Sequence, residues 1–383
     1  MHSYIELKEK KCSNRNRILL FFYYMEHVIK AEHSIRDQLL QVMIDNRWSD
    51  MFITVGTYPA IKIAGEITSI DEDMEIFTQK DTLEFAQSLI DEVQHDRLLA
   101  EKNLDFSFGY VGARFRGNIS FQTGCYMVVV RLLNAEIPDV DSLWLTDVYK
   151  DVTKKGQWLI LITGPTGSGK TTTLAAMINY INENYKRHII TIEDPIEYVH
   201  QHKKSIIEQK EVGRDVPDYE TALLGAMRQA PQVILFWEMR NRKEVEMALT
   251  LAETGHLVLS TMHTRSASQT VSRIVDIFWE NEKEQIRLQL SDALAAVFSQ
   301  RLLTLIDGTW VRMVKEVLVN NGAIANLIRE NDIHQIPTAM QMGKREGMQL
   351  LEDDIINLVQ LGLVSLEEGI KYANNPRQIR DAM

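Results

Sequence analysis

Cysteine is nearly missing from this chain of 383 residues: only Cys12 and Cys125 occur, far apart and in no metal-ligand spacing. A disulfide framework is thereby excluded, and unpaired thiols in a reducing cytoplasm are expected. Proline is scarce too, 8 residues beside 19 glycines, and with 45% hydrophobic and 25% charged residues the composition is neither collagenous nor disordered. Long apolar runs are lacking. The longest, Ile18 to Met25, has eight residues, whereas a membrane-spanning helix needs about twenty. There is no excess of positive charge: 42 Lys plus Arg against 53 Asp plus Glu leaves −11. That balance disfavours a nucleic-acid binder working by bulk phosphate neutralisation. No internal repeat or low-complexity tract interrupts the chain, and its length indicates two domains.

What is present divides the chain into four stretches. The first thirty residues carry six Lys/Arg and three Asp/Glu, a net +3, ahead of the run ILLFFYYM. A charged start before an apolar run suits a signal peptide, but tyrosines punctuate the run and no small-residue cleavage site follows, so 1–34 is expected to be an interfacial or disordered extension. Residues 35–133 carry α+β patterning. A helix is expected over Ile35–Arg47, strands at 51–56 and 60–67, a helix from Asp81 through Glu101, and antiparallel strands in DFSFGYVGARFRGNISF and Tyr126–Leu133. Residues 134–155, with Pro138 and weak periodicity, are expected to be a linker.

From 156 to 383 the texture changes to short, wholly apolar runs between helical stretches: WLILITG, HIITIED, QVILFWE and LVLSTMH. Such runs are the signature of parallel strands buried on both faces, so the fold class is α/β with a doubly wound sheet. Ligands in such folds bind beyond the carboxyl ends of the strands. Beyond Glu282 the pattern predicts mostly helix, including one amphipathic helix over EKEQIRLQLSDALAAVFSQRLL.

The sharpest chemical signal is the run Gly164-Pro165-Thr166-Gly167-Ser168-Gly169-Lys170-Thr171, an intact G-x-x-x-x-G-K-T between an apolar strand and a helix that continues with Thr172. Its glycines let backbone N–H groups surround a phosphate, the helix N-terminus faces the anion, Lys170 bridges β- and γ-oxygens, and Thr171 reaches Mg²⁺. ATP with Mg²⁺ is the expected ligand. Hydrolysis also needs carboxylates near the γ-phosphate. Glu193 and Asp194 follow one strand run and Glu238 another. Glu193 is expected beside Mg²⁺ and Glu238 beside the attacking water, while Asp194, before Pro195, fits a helix cap or solvated turn as well as a functional role. His256 and His263 flank the fourth strand run, where an imidazole can sense the γ-phosphate. His200 and His202, near Lys203 and Lys204, find no third metal ligand and are expected in a polar loop.

The ordered set GPTGSGKTTTLAAM, IITIEDPIEYVH, RQAPQVILFWEMR and AETGHLVLSTMHT resembles the Walker A, Asp box, Walker B and His box of bacterial type IV pilus and type II secretion ATPases. Within them the chain is similar to the retraction ATPases of the PilT/PilU group. The likeness runs from about Ile35 onward, through SDMFITVGTYPAIKIAGEI, the retraction-signature helix AIANLIRE and EGMQLLEDDI. RQAP, the HQHK loop and the tail YANNPRQIRDAM lean to the PilU branch. The resemblance implies a smaller PAS-like α+β domain, a RecA-like P-loop ATPase domain with C-terminal helices, and a homohexamer at the cytoplasmic face of the inner membrane. It further implies a platform protein and a paralogous retraction ATPase as partners, no nucleic acid, and nucleotide bound between the two domains. Arg114, Arg116 and Arg131 of the first domain would approach the phosphates, a task suited to guanidinium; a solvated strand face is the alternative.

Three positions depart from the family pattern: Trp237 stands where Gly precedes the Walker B glutamate, Ala325 where the retraction signature is basic, and Lys315 where the preceding strand has His. The first predicts slowed hydrolysis, the others altered coupling. Three rival functions follow. One is an accessory ATPase of weak turnover supporting a paralogous motor. Another is a RecA-like nucleic-acid motor, against which the acidic balance counts. The third is an assembly or secretion ATPase, whose tetracysteine metal site two cysteines cannot make.

Overall fold

The computed structural model describes residues 34–63, 66–70, 74–133, 136–308 and 310–383. The expectations for 1–33, including Cys12 and the aromatic run, lie outside the described residues. The chain divides into two compact units, Met1–Asn134 and Ala135–Met383.

Among the described residues, the first unit is a six-stranded antiparallel sheet with three helices. Its strands are β1 (Asp50–Ile53), β2 (Ala60–Ile63), β3 (Glu66–Ser69), β4 (Asn103–Tyr110), β5 (Ala113–Gln122) and β6 (Cys125–Leu133), in the order β3-β2-β1-β6-β5-β4. Period-two alternation sends Phe115 and Ile119 of β5 and Val128 and Val130 of β6 into the core. There they meet Leu40 and Met43 of α1 (Ile35–Asn46), Phe85 of α2 (Gln79–Leu89) and Leu98 of α3 (Glu92–Glu101). Gly117 is required where it stands, because a Cβ would lie 2.3 Å from the Phe106 ring. The single helix expected over Asp81–Glu101 is two. Ile90 is extended, and Asp91 caps α3 in a box with Gln94, satisfying N–H groups that an unbroken helix would have bonded internally.

The second unit carries a seven-stranded sheet: β7 (Trp158–Thr163), β8 (His188–Glu193), β9 (Ile206–Glu211), β10 (Val233–Phe236), β11 (Leu257–Met262), β12 (Leu294–Thr304) and β13 (Val311–Val319). The order is β13-β12-β7-β11-β10-β8-β9, parallel except for β13. The four apolar runs are β7, β8, β10 and β11, with both faces covered. One face meets α4 (Asp147–Lys154) and α5 (Lys170–Asn184). The other meets α6 (Tyr219–Ala226), α7 (Arg242–Glu253), α8 (Ala267–Asp276), α9 (Lys283–Ala293) and α10 (Gly322–Arg329). Four more helices follow: α11 (Ile336–Met342), α12 (Leu351–Gln360), α13 (Leu366–Tyr372) and α14 (Pro376–Asp381). Of these, α12 and α14 close a satellite core over Leu303 and Val314.

Two expectations are corrected here. The stretch 134–155 is not a plain linker, since Val140, Leu145, Tyr149 and Val152 are buried and Tyr149 stacks on Phe298 with ring centroids 3.7 Å apart. The long helix over Glu282–Leu303 ends at Ala293, and LAAVFSQRLLT is β12, paired on both sides. Its apolar residues are contiguous rather than spaced at three and four, and the interior of the sheet takes them on both faces.

Candidate functional site

Everything chemically promising in the second unit except His256 gathers at the carboxyl edge of its parallel strands. Strand β7 ends at Thr163, and the loop Gly164–Gly169 turns into α5 with positive φ at Gly164 (145°), Gly167 (77°) and Gly169 (84°). Side chains are rarely tolerated there. At Gly164 a Cβ would also sit 2.4 Å from the Gln300 carbonyl. Behind the loop, Gln300 Nε2 donates to the Ser168 carbonyl (2.8 Å), and its Oε1 accepts from Thr173 Oγ1 (3.1 Å). Thr163 and Ser299 share a buried hydroxyl bond of 2.7 Å.

The loop fits a phosphate by its own unmet valences. No side chain caps α5, so its first N–H groups face outward beyond Gly169. Ser168 Oγ is buried without a partner. Lys170 Nζ donates to the carbonyls of Gly164 (2.9 Å) and Pro165 (3.2 Å), and burial pushes its pKa below the ordinary lysine range against the opposing charge of Glu238. Thr166 stands exposed at the loop tip. Thr172 is engaged elsewhere, its hydroxyl 3.1 Å from Tyr198 OH.

Glu193 closes β8, buried, accepting from Thr191 Oγ1 (2.7 Å) and Gln209 Nε2 (3.1 Å). Desolvation pushes its carboxyl up to about 7 despite those bonds. Asp194 is exposed. Thr171 and Glu193 line one small cavity of about 10 Å³, together with His200 and Trp237. A hydroxyl and a carboxylate are oxygen donors of the kind a hard cation takes, so this pair fits Mg²⁺. His200 lies in the loop between β8 and β9, where a polar loop is expected, and its side chain lines the cavity wall, with burial lowering its pKa to about 4. His202 accepts from the Ile207 N–H.

Glu238 lies two residues past β10, its side chain mostly buried, with φ at 142°. Its Oε2 accepts from Arg240 Nε at 2.8 Å, and its Oε1 faces His263 Nε2 at 3.4 Å. His263 follows β11; His256 precedes it. The catalytic expectation for His256 is therefore corrected, because a strand of six residues separates it from the phosphate edge by about 20 Å. Its Nδ1 lies 3.0 Å from the Leu251 carbonyl, closing the turn after α7.

In the first unit Arg114, Arg116 and Arg131 share one face of the sheet. Arg114 and Arg116 are two apart on β5, and Arg116 pairs directly with Arg131 on β6. The face is partly neutralised: Arg131 Nε bonds Asp50 Oδ1 at 2.7 Å, Arg116 lies 3.9 Å from Asp105, and Arg114 donates to Ser107 Oγ.

Sequence reasoning missed Gln209, Gln300 and Tyr198. Gln209 alone contacts Glu193, the Tyr198 carbonyl (2.8 Å) and the His200 N–H (2.7 Å). Nothing in its position on an edge strand announces this.

Residues 115–310 match the family model described as type II/IV secretion system protein. Over 332 residues the chain is 42% identical to a twitching motility protein of Neisseria gonorrhoeae, covering 86% of each. Identity is 34% to the type IV pilus ATPase PilU of Pseudomonas aeruginosa, with 90% of each covered. Among solved structures, the pilus retraction motor PilT with bound ADP superposes with a TM-score of 0.86 at 42% identity, over 91% of this chain and all of that one.

Proposed function

Since the chain belongs to the type II/IV secretion system protein family, as one of its pilus-retraction ATPases, we propose that it is a homohexameric motor hydrolysing ATP at this sheet edge. The work would be type IV pilus retraction, delivered through a platform protein at the cytoplasmic face of the inner membrane. The observation that carries the mechanism is the Glu238 carboxylate facing the His263 imidazole at 3.4 Å, beyond the carboxyl ends of β10 and β11.

ATP would enter the glycine loop, where Lys170 exchanges two backbone carbonyls for phosphate oxygens and Ser168 Oγ gains a partner. Thr171 and Glu193 would hold Mg²⁺, which neutralises phosphate charge when bound. Glu238 orients water for attack on the γ-phosphorus and accepts its proton as the bond to the ADP oxygen breaks. His263 fixes the Glu238 carboxylate from its second oxygen. Motion follows if ATP favours one conformation of the protomer over another, because only differential affinity shifts an equilibrium.

Trp237 supports a second reading. A ring on the wall of the cavity that holds Thr171 and Glu193 leaves little room for water, which suits an accessory subunit of weak turnover beside a paralogous motor. ATPase assays of the purified chain, alone and mixed with the paralogue, separate the two. Lys170→Ala must abolish turnover under either reading; retained turnover contradicts both.

A further inference from the structure

Behind His263 the chain builds a polar circuit that the phosphate site does not use. The turn after His263 is held from below by two buried ionisable side chains. Arg301 of β12 donates through NH2 to the Arg265 carbonyl (2.7 Å), and Glu316 of β13 accepts the N–H of Ala267, the first residue of α8, at 3.0 Å. Asn374, in the segment between α13 and α14, bridges the pair. Its Oδ1 accepts from the same Arg301 nitrogen (2.9 Å), and its Nδ2 donates to the other Glu316 oxygen (3.1 Å). The next residue, Asn375, donates its N–H to buried Glu352 of α12 at 2.7 Å.

Two ionisable groups buried beside a bridging amide cost desolvation that apolar packing would not. Besides Asn374, they bond the main chain at Arg265 and Ala267, two and four residues after the imidazole that faces Glu238. Asn374 remains open to solvent.

We propose that Arg301, Glu316 and Asn374 are positioning residues, through which the segment between α13 and α14 sets the placement of His263 against Glu238. The proposal rests on the reading of Glu238 and His263 as the hydrolytic pair. The arrangement makes that segment a control point: whatever displaces Asn374 releases the His263 turn, and by linkage nucleotide state is felt at the segment.

A double-mutant cycle on the full chain tests this. Steady-state ATPase is measured for Asn374→Ala, His263→Ala and the double variant. Asn374→Ala lowers kcat by about fivefold to twentyfold with KM changed by less than about twofold, as loss of a transition-state contact does. The double variant is no slower than His263→Ala, because no imidazole remains to be placed. Asn374→Asp, which keeps the bond to Arg301 alone, falls between wild type and Asn374→Ala and serves if the alanine variant is poorly folded. Unchanged kcat in both Asn374 variants, or losses that multiply in the double variant, overturns the proposal while leaving the hydrolytic pair standing. Unchanged turnover in His263→Ala overturns the pair, and the proposal with it.

Discussion

Glu238 Oε1 meets His263 Nε2 at 3.4 Å, and the glutamate reaches that contact with its backbone at φ 142°, a region that side chains rarely occupy. Strain of this kind costs about 1–3 kcal/mol and concentrates at functional sites. Glu238→Gly should therefore raise the melting temperature of the nucleotide-free protein by about 2 °C or less, roughly the effect of 1 kcal/mol or less after the lost Arg240 bond is counted. Turnover should vanish in the same variant. A lower melting temperature would show that the Arg240 and His263 contacts outweigh the strain.

Trp237 tests the width of the site. Because its ring shares a wall with Thr171 and Glu193, Trp237→Gly should raise kcat by about threefold to tenfold, a barrier change near 1 kcal/mol. Decline in kcat would mean that the ring excludes water usefully.

Gln209 holds Glu193 and the neighbouring 198–200 segment with one amide. Gln209→Leu keeps the bulk and removes all three bonds, so the Mg²⁺ concentration for half-maximal turnover should rise by about tenfold. The ATPase titrated with Mg²⁺ at saturating ATP reads this directly, and an unshifted midpoint would remove Gln209 from the site.

Glu316 gives a pH signature. Burial, reinforced by Glu352, pushes its carboxyl up to about 7 against the bond from Ala267 and the charge of Arg301. The folded form then keeps a proton that the unfolded chain has lost from about pH 4.5 upward, so this group's contribution to stability is full below that value and drains away as pH rises towards 7. Between pH 5 and 8 the melting temperature of wild type should fall more than that of Glu316→Gln, by the equivalent of roughly 1–3 kcal/mol. Parallel curves would place the titration elsewhere. Glu193, raised likewise, contributes to both proteins and cancels.

The legible part of this molecule was the part whose chemistry is local in sequence. Strand, glycine loop and helix at 158–184 are contiguous, and the apolar runs of β7, β8, β10 and β11 admit little but buried parallel strands. Contacts made across the sheet were not legible. An amphipathic helix over 282–303 gives Ser299, Gln300 and Arg301 no reason to meet the glycine loop, whereas β12 sets them against Thr163, Ser168 and Arg265. His256 misled for a related reason. Chain order already puts His256 before LVLSTM and His263 after it; the parallel pairing of β11 with β7 and β10 then leaves only His263 at the edge where the glycine loop lies.

The account stands most directly on Glu238 as the group that activates water. ATP binding and turnover should be measured together for wild type and Glu238→Gln. Affinity for ATP within about threefold of wild type, with kcat lowered by about a hundredfold or more, is the predicted result; turnover of Glu238→Gln close to the wild-type rate would contradict it.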